Sequence, residues 1–293
     1  RELSVIGTKP GAPFSTADAL FVDDKVTLKP GIAERAEAET GAPVQVVDFA
    51  TPDAVDAVNK WAAARTRGRI PTILEPGEAP GLVALDAFHF KDCWRRPFDP
   101  KDTAAAPFTR LDGTRVDRPT MRLDALDLAH AARGRFVAAE LPYADGRFAM
   151  VVVTTSDAPA APAAFAAAAD LIAGAGFAPG PVRLSLPKFS GTGGRDLLEV
   201  LGRLGLAPGL ASPGQLSGFA DGLRLGAVRQ KTFVEVTEEG TEAAAVTAGL
   251  ATRGGVEPPV TLSFDKPFVF ALRHRPSGTI LLTGYVADPG EGK

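Results

Sequence analysis

The chain has 293 residues, 45% of them hydrophobic and 23% charged, with a formal net charge of −3. That length can bury a substantial core in one large domain or two. The slight negative charge and the lack of any basic run argue against nucleic acid as a partner.

A single cysteine, Cys93, excludes an internal disulfide. No apolar run reaches the roughly 18 residues that a membrane-spanning helix needs. Position 1 is arginine, so a signal peptide is neither indicated nor excluded. The 31 glycines and 25 prolines, with abundant alanine, fit a GC-rich genome.

From the front, Phe14 to Val22 reads as a strand and Asp23-Asp24 as a turn. Lys29 to Glu39 reads as a short polar helix, and Val44 to Phe49 as a strand. Thr51-Pro52 opens a helix, with threonine at the cap and proline in the first turn. Val55, Val58, Ala62 and Arg65 fall at helical spacing, with Asn59 and Trp61 beside them. The helix stops near Thr66-Arg67-Gly68. Leu82 to Phe90 is the strongest candidate for a central strand. Lys91-Asp92-Cys93-Trp94, Pro97-Phe98-Asp99 and Thr103 follow it.

Phe136 to Leu141 and Phe148 to Thr154 read as a hairpin joined through Pro142-Tyr143. Asp157 to Ala175 reads as an alanine-rich surface helix with a low-complexity start. Val182 to Phe189 reads as a strand ending in Leu186-Pro187-Lys188-Phe189. Gly191-Thr192-Gly193-Gly194 reads as a turn, since it lacks the lysine and spacing of a phosphate loop. Asp196 to Gly205 reads as an amphipathic helix with a glycine stop. Leu216 to Phe219 leads toward a strand in which Thr232, Val234 and Val236 alternate with Phe233, Glu235 and Thr237. Val260 to Phe264 and Phe268 to Leu272 read as buried strands, and Ile280 to Val286 as the last one. No internal repeat is visible.

The stretch from Glu238 to Pro258 fits neither a turn nor a helix, and a connection this long is normally functional or disordered. Its residues are small and carry little charge, unlike disorder. Extended, it would place Thr241, Ala243, Ala245 and Thr247 on one side and Glu242, Ala244, Val246 and Ala248 on the other. The only charge between Thr241 and Thr252 then lies on the second side. The first side can be buried as a strand, with Gly240 as the pivot.

No catalytic constellation stands out, and the chain does not read as an enzyme. No Gly-x-Ser-x-Gly elbow occurs. His89, His130 and His274 lack metal-ligand spacing, and Cys93 reads as a buried thiol. No cofactor or metal is expected.

Glu238-Glu-Gly-Thr-Glu-Ala-Ala-Ala245 resembles the hinge of the serpins, the serine protease inhibitor superfamily, and Asp265 to Phe270 resembles the segment after their reactive loop. Further similar stretches are Val47 to Ile70, Gly113 to Met121, Leu141-Pro142-Tyr143, Leu186 to Phe189 and Asp196 to Gly205. A serpin strand ends in Phe-Lys-Gly-x-Trp; Trp94 matches the tryptophan and Asp92 replaces the glycine. The resemblance spans roughly Phe14 to Pro289 and is to a bacterial-type member.

The resemblance implies an α+β serpin fold over a single domain, 1–293. It has a large central mixed sheet, smaller sheets, surrounding helices and an exposed reactive loop at 238–258. The family domain begins with several helices ahead of the strand matching Phe14 to Val22. No counterpart to them is present, so the domain reads as N-terminally incomplete.

The implied function is irreversible, suicide-substrate inhibition of a trypsin-like serine protease by a metastable fold. The partner is the target protease, held as a covalent acyl complex. The resemblance implies a monomer and favours a secreted or periplasmic setting; it implies neither a membrane nor a nucleic-acid partner.

Glu238, Gly240, Thr241, Ala243, Ala245 and Thr247 form the hinge face. Trp94, Asp86 and Gln230 fall in the region where the sheet opens; the last two stand where the family often has an asparagine and a histidine. Counting forward from the hinge puts the cut bond near Gly254-Gly255, and counting back from Lys266 puts it near Val256. Arg253 is the basic side chain after the hinge, which favours Arg253-Gly254. An elastase-like enzyme cutting at a small residue is the alternative target. A non-inhibitory serpin acting as a binding or scaffold protein is the alternative function.

Overall fold

The computed structural model describes residues 14–66, 68–75, 81–206, 214, 216–241 and 258–290. Its strands begin with β1 (Phe14–Asp23), β2 (Val44–Val47), β3 (Leu82–Phe90), β4 (Asp92–Cys93) and β5 (Ala104–Thr109). Next come β6 (Arg115–Arg133), β7 (Phe136–Pro142), β8 (Phe148–Thr155), β9 (Ala178–Pro187) and β10 (Phe189–Asp196). The last are β11 (Ala227–Val236), β12 (Gly240–Thr241), β13 (Val260–Ser263), β14 (Phe268–His274) and β15 (Ile280–Val286). The α-helices are α1 (Ile32–Thr40), α2 (Pro52–Arg65), α3 (Ala169–Ile172) and α4 (Leu198–Arg203). The chain divides into two compact units, Arg1–Phe90 with Thr192–Phe233 and Lys91–Gly191 with Val234–Lys293.

In the first unit the strands run in the order β2-β1-β3-β11. β1 pairs in parallel with β2 and antiparallel with β3, and β3 pairs in parallel with β11. The apolar run of β3 is explained by burial on both faces. Val83, Leu85 and Ala87 join one core, and Leu82 joins another with Val22, Ala220 and Leu223. α2 lays Val55, Val58 and Ala62 into the first core with Phe21 and Phe49. Asn59 ties the helix to the following segment: Ile73 N and Leu74 N donate to its Oδ1 at 2.7 and 3.0 Å, and its Nδ2 donates to Leu74 O at 3.0 Å. Thr51 takes the capping position with no side-chain cap bond; its hydroxyl donates to Asp48 O instead.

In the second unit the sheet order is β13-β9-β6-β7-β8-β14-β15, with β5 against β6. β8 is buried at every position, as befits a central strand. β6 is a 19-residue strand whose register against β9 shifts between Ala125 and Leu128, a bulge that lets it bend. Beyond β15, Asp288 is gripped by two arginines. Arg118 donates from Nε and Nη2 at 2.6 and 2.7 Å, and Arg110 from Nε at 2.6 Å. The Arg118 hydrogen bonds hold this carboxyl well below the usual carboxylate range.

Three expectations change. The segment read as a surface helix over Asp157 to Ala175 is a 3-10 helix, Pro162–Ala168, followed by the single turn α3. Phe165, Ala168 and Leu171 are buried against β7, β8 and β14 residues. Their spacing of three is the 3-10 repeat, so core contact and two early prolines override alanine's α preference. The glycines expected to form a turn at Gly191 to Gly194 lie in β10. A Cβ on Gly193 would stand 2.6 Å from Thr232 Oγ1, so close approach explains the glycine. Finally, the helix expected over Asp196 to Gly205 is shorter, Leu198–Arg203, and its apolar residues Leu198, Val200 and Leu201 are half-buried rather than buried, while Glu199 and Arg203 are exposed.

Candidate functional site: the hinge after β11

β11 ends at Val236, and the chain then turns back on itself. Thr237 N donates to Gly240 O at 2.9 Å, and Gly240 N donates to Thr237 O at 3.3 Å. The opening of the stretch expected to be neither turn nor helix is therefore a tight turn. It sets Thr241 opposite Val236. On the other side Gly240 pairs with Cys93 and Thr241 with Asp92. The two residues of β12 are thus a strand seated between the end of β11 and β4.

Glycine is required at Gly240. Its φ is +147°, a region closed to other residues. A Cβ there would lie 2.2 Å from Asp92 O, 2.7 Å from Cys93 Cα and 3.0 Å from Trp94 N, all main-chain atoms. The pivot is a steric necessity as well as a torsional one.

The turn is held from three sides. Glu238, 8% exposed, pairs with Lys188 Nζ at 2.9 Å and accepts from Thr103 Oγ1 at 2.9 Å. Burial works against its charge, yet the Lys188 and Thr103 hydrogen bonds outweigh it and hold the carboxyl below its ordinary value. The carbonyls of Glu238 and Glu239 accept from Phe98 N and Trp94 N, each at 2.9 Å. Trp94 Nε1 donates to Thr237 O at 3.0 Å.

Below the turn lies an aromatic floor. Trp94 stacks on Tyr143 with centroids 4.6 Å apart and planes 19° apart. Tyr143 is fully buried, and its hydroxyl shares a 2.8 Å hydrogen bond with the hydroxyl of Thr241, itself 1% exposed. Burial pushes the phenol's pKa up, so it stays neutral and keeps its proton for that bond. At the rim, half-burial pushes the Asp92 carboxyl up to about 6; the Cys93 N–H opposes this, Asp145 adds to it and Arg147 opposes it.

The structure brings Glu238, Gly240, Thr241 and Trp94 together. In the first unit, Gln230 and Asp86 are register partners, and Gln230 Nε2 donates to Asp86 Oδ2 at 2.6 Å. Ala243, Ala245, Thr247, Arg253 and Gly254 lie outside the described residues.

Lys188, Thr103 and Tyr143 were visible as motif residues, but nothing in their spacing assigned them to the hinge. His130 and His274 serve the main chain and a neighbouring loop, through Leu128 O and Ser277 Oγ. Among the described residues Asp23, Asp24 and Asp48 bring three carboxylates together. Lys25 engages two of them, through its N–H to Asp23 and its ammonium to Asp48, so the group serves the turn after β1.

A family model described as Serpin (serine protease inhibitor) matches residues 2–289. The chain belongs to the serpin family. It is similar to Serpin-Z1B of Triticum aestivum, at 33% identity over 95% of this chain and 75% of that one. It is also similar to leukocyte elastase inhibitor A of Rattus norvegicus, at 30% identity over 93% of this chain and 77% of the relative. The crystal structure of Serpin48 of the insect Tenebrio molitor superposes with a TM-score of 0.83, at 25% identity, over 97% of this chain and 79% of that one.

This serpin accordingly has the α+β serpin fold. At the level of the family its function is protease inhibition.

Proposed function

We propose that this serpin is a suicide-substrate inhibitor of a trypsin-like serine protease, acting as a monomer and as one serpin domain, with the reactive loop at 238–258. The protease attacks Arg253-Gly254 and is left as an acyl-enzyme on the Arg253 carbonyl. The severed loop then inserts as a strand, releasing strain stored in the fold and carrying the protease with it before water reaches the ester.

The observation that supports this reading is the seated hinge. Gly240 and Thr241 are already paired as a strand with β11 and β4. Insertion is then extension of an existing strand rather than nucleation of a new one. Adding about a dozen residues between two strands makes roughly two hydrogen bonds per residue, each worth ~0.5–1.5 kcal/mol net. Ordering each residue costs about 1–2 kcal/mol. These nearly cancel, so relief of sheet strain and burial of the inner face decide the outcome. Ala243, Ala245 and Thr247 suit that face because a lone buried charge there would cost several kcal/mol.

A relative named leukocyte elastase inhibitor A supports the second target reading, an elastase-like enzyme that cuts at a small residue. Mixing the protein with trypsin, or with elastase, and running a denaturing gel tests both. A band at the summed mass that survives denaturation supports the trap and names the target class. A clipped chain with active protease counts against it.

A further inference from the structure

The hinge strand docks against a carboxylate. Asp92 and Thr241 stand directly opposite in the antiparallel β4–β12 pair, and cross-strand partners share a face of the sheet. On that face the Thr241 hydroxyl meets the buried Tyr143 hydroxyl at 2.8 Å. The Asp92 carboxylate is near enough for its charge to act on that phenol.

We propose that Asp92 is a proton-operated positioning residue for the hinge: neutral, it lets Gly240-Thr241 seat between β11 and β4; ionised, it loosens that seat and slows loop insertion. The effect on insertion rests on the inhibitory reading above, whereas the effect on the seat does not.

The surrounding charges do not neutralise Asp92. Asp145 and Arg147, in the β7–β8 turn, act on it in opposite directions. Arg147 Nε is engaged by Asp145 Oδ2 at 2.6 Å. From the hinge turn, Glu238 is matched by Lys188 and Glu239 brings no positive charge. The Cys93 N–H donates to Asp92 Oδ1 at 2.8 Å, and Tyr143 is neutral. Half-burial raises the carboxyl from its ordinary range to about 6.

The seated state therefore binds a proton that an open, solvated Asp92 would release. Seating is strongest below about pH 4, weakens as pH rises to about 6, and is level above that. A gap of two pH units allows up to about a hundredfold change, and a half-exposed group leaves roughly tenfold.

The test is hydrogen–deuterium exchange of the peptides covering 91–95 and 237–241 in the full chain at pH 4.5 to 7.5, corrected for intrinsic rates. Wild-type protection should fall about tenfold between pH 4.5 and 7, while Asp92→Asn and Asp92→Gly stay level. Superimposable profiles for wild type and both variants overturn the proposal.

In a parallel arm, trypsin at pH 7.5 should be trapped by fewer molecules of Asp92→Asn than of wild type. Equal numbers there overturn the effect on insertion. If exchange responds to pH but no variant forms a covalent band, the inhibitory reading falls and the seat's proton dependence stands. If bands form while exchange is level, Asp92's role alone falls.

Discussion

Substituting Gly240 by alanine tests the hinge most directly. The new methyl would sit 2.2 Å from Asp92 O and 2.7 Å from Cys93 Cα. Neither neighbour is a side chain that can swing away, so β12 must lift from β4. Thr241 then leaves Tyr143, and the hydrogen bond between their hydroxyls is lost, at about 0.5–1.5 kcal/mol. Any φ near +147° that persists adds about 1–3 kcal/mol of strain. A loss of roughly 3 kcal/mol is expected, or a Tm lower by roughly 6–12 °C.

The control is Gly278→Ala. Gly278 has φ +72° and nothing within 4 Å of a Cβ, so alanine there carries torsional strain of about 1–2 kcal/mol and no clash. Urea denaturation of both variants, with trypsin trapping on a denaturing gel, separates clash from torsion. Gly240→Ala should be the less stable by about 2 kcal/mol and should be clipped rather than form a covalent band. Equal stability of the two variants, with trapping intact in Gly240→Ala, would refute the seated-hinge account.

Lys188→Met removes the ammonium from a buried Glu238 and should cost about 1.5 kcal/mol, the low end for a charged hydrogen bond because Lys188 is partly exposed. Adding Glu238→Gln should then cost far less than it does alone, as a urea double-mutant cycle would show. Asp288→Asn should destabilise by about 2 kcal/mol at pH 7, since it weakens a part-buried, charge-assisted pairing with Arg118 and Arg110. The pKa of Asp288 is depressed in the fold, so wild type's advantage is full above about pH 4 and shrinks as pH falls below it; urea midpoints from pH 2 to 7 check the sign. Ala243→Arg places a charge on the face proposed to be buried and should turn a trap into a substrate; trapping of trypsin equal to wild type would count against insertion.

How legible the molecule was depended on how local the relevant physics is. Leu82 to Phe90 read as a central strand because a continuous apolar run is what two buried faces demand, and Val83 and Leu82 do face different cores. The hairpin around Pro142-Tyr143 read correctly for the same reason; the last strand, at the end of its sheet and only partly buried, read from its β-rich residues. The segment Asp157 to Ala175 misled because alanine favours an α-helix in isolation, while Phe165, Ala168 and Leu171 are pulled into a core at a spacing of three. The length of β6 was not legible: its alternation weakens around the bulge at Ala125.

By itself, the order of residues was enough to place the chain among the serpins and to mark Gly240 as a pivot and Thr241 as inward. It could do so because backbone torsion and side-chain alternation are properties of neighbours along the chain. Which groups answer the hinge was decided only in three dimensions. Lys188 and Thr103 reach Glu238, Tyr143 reaches Thr241, and Asp92 faces it across a two-residue ladder. Charge pairing, burial and close approach depend on distance through space, and the fold alone brings together groups that lie 50 to 149 positions apart in the chain.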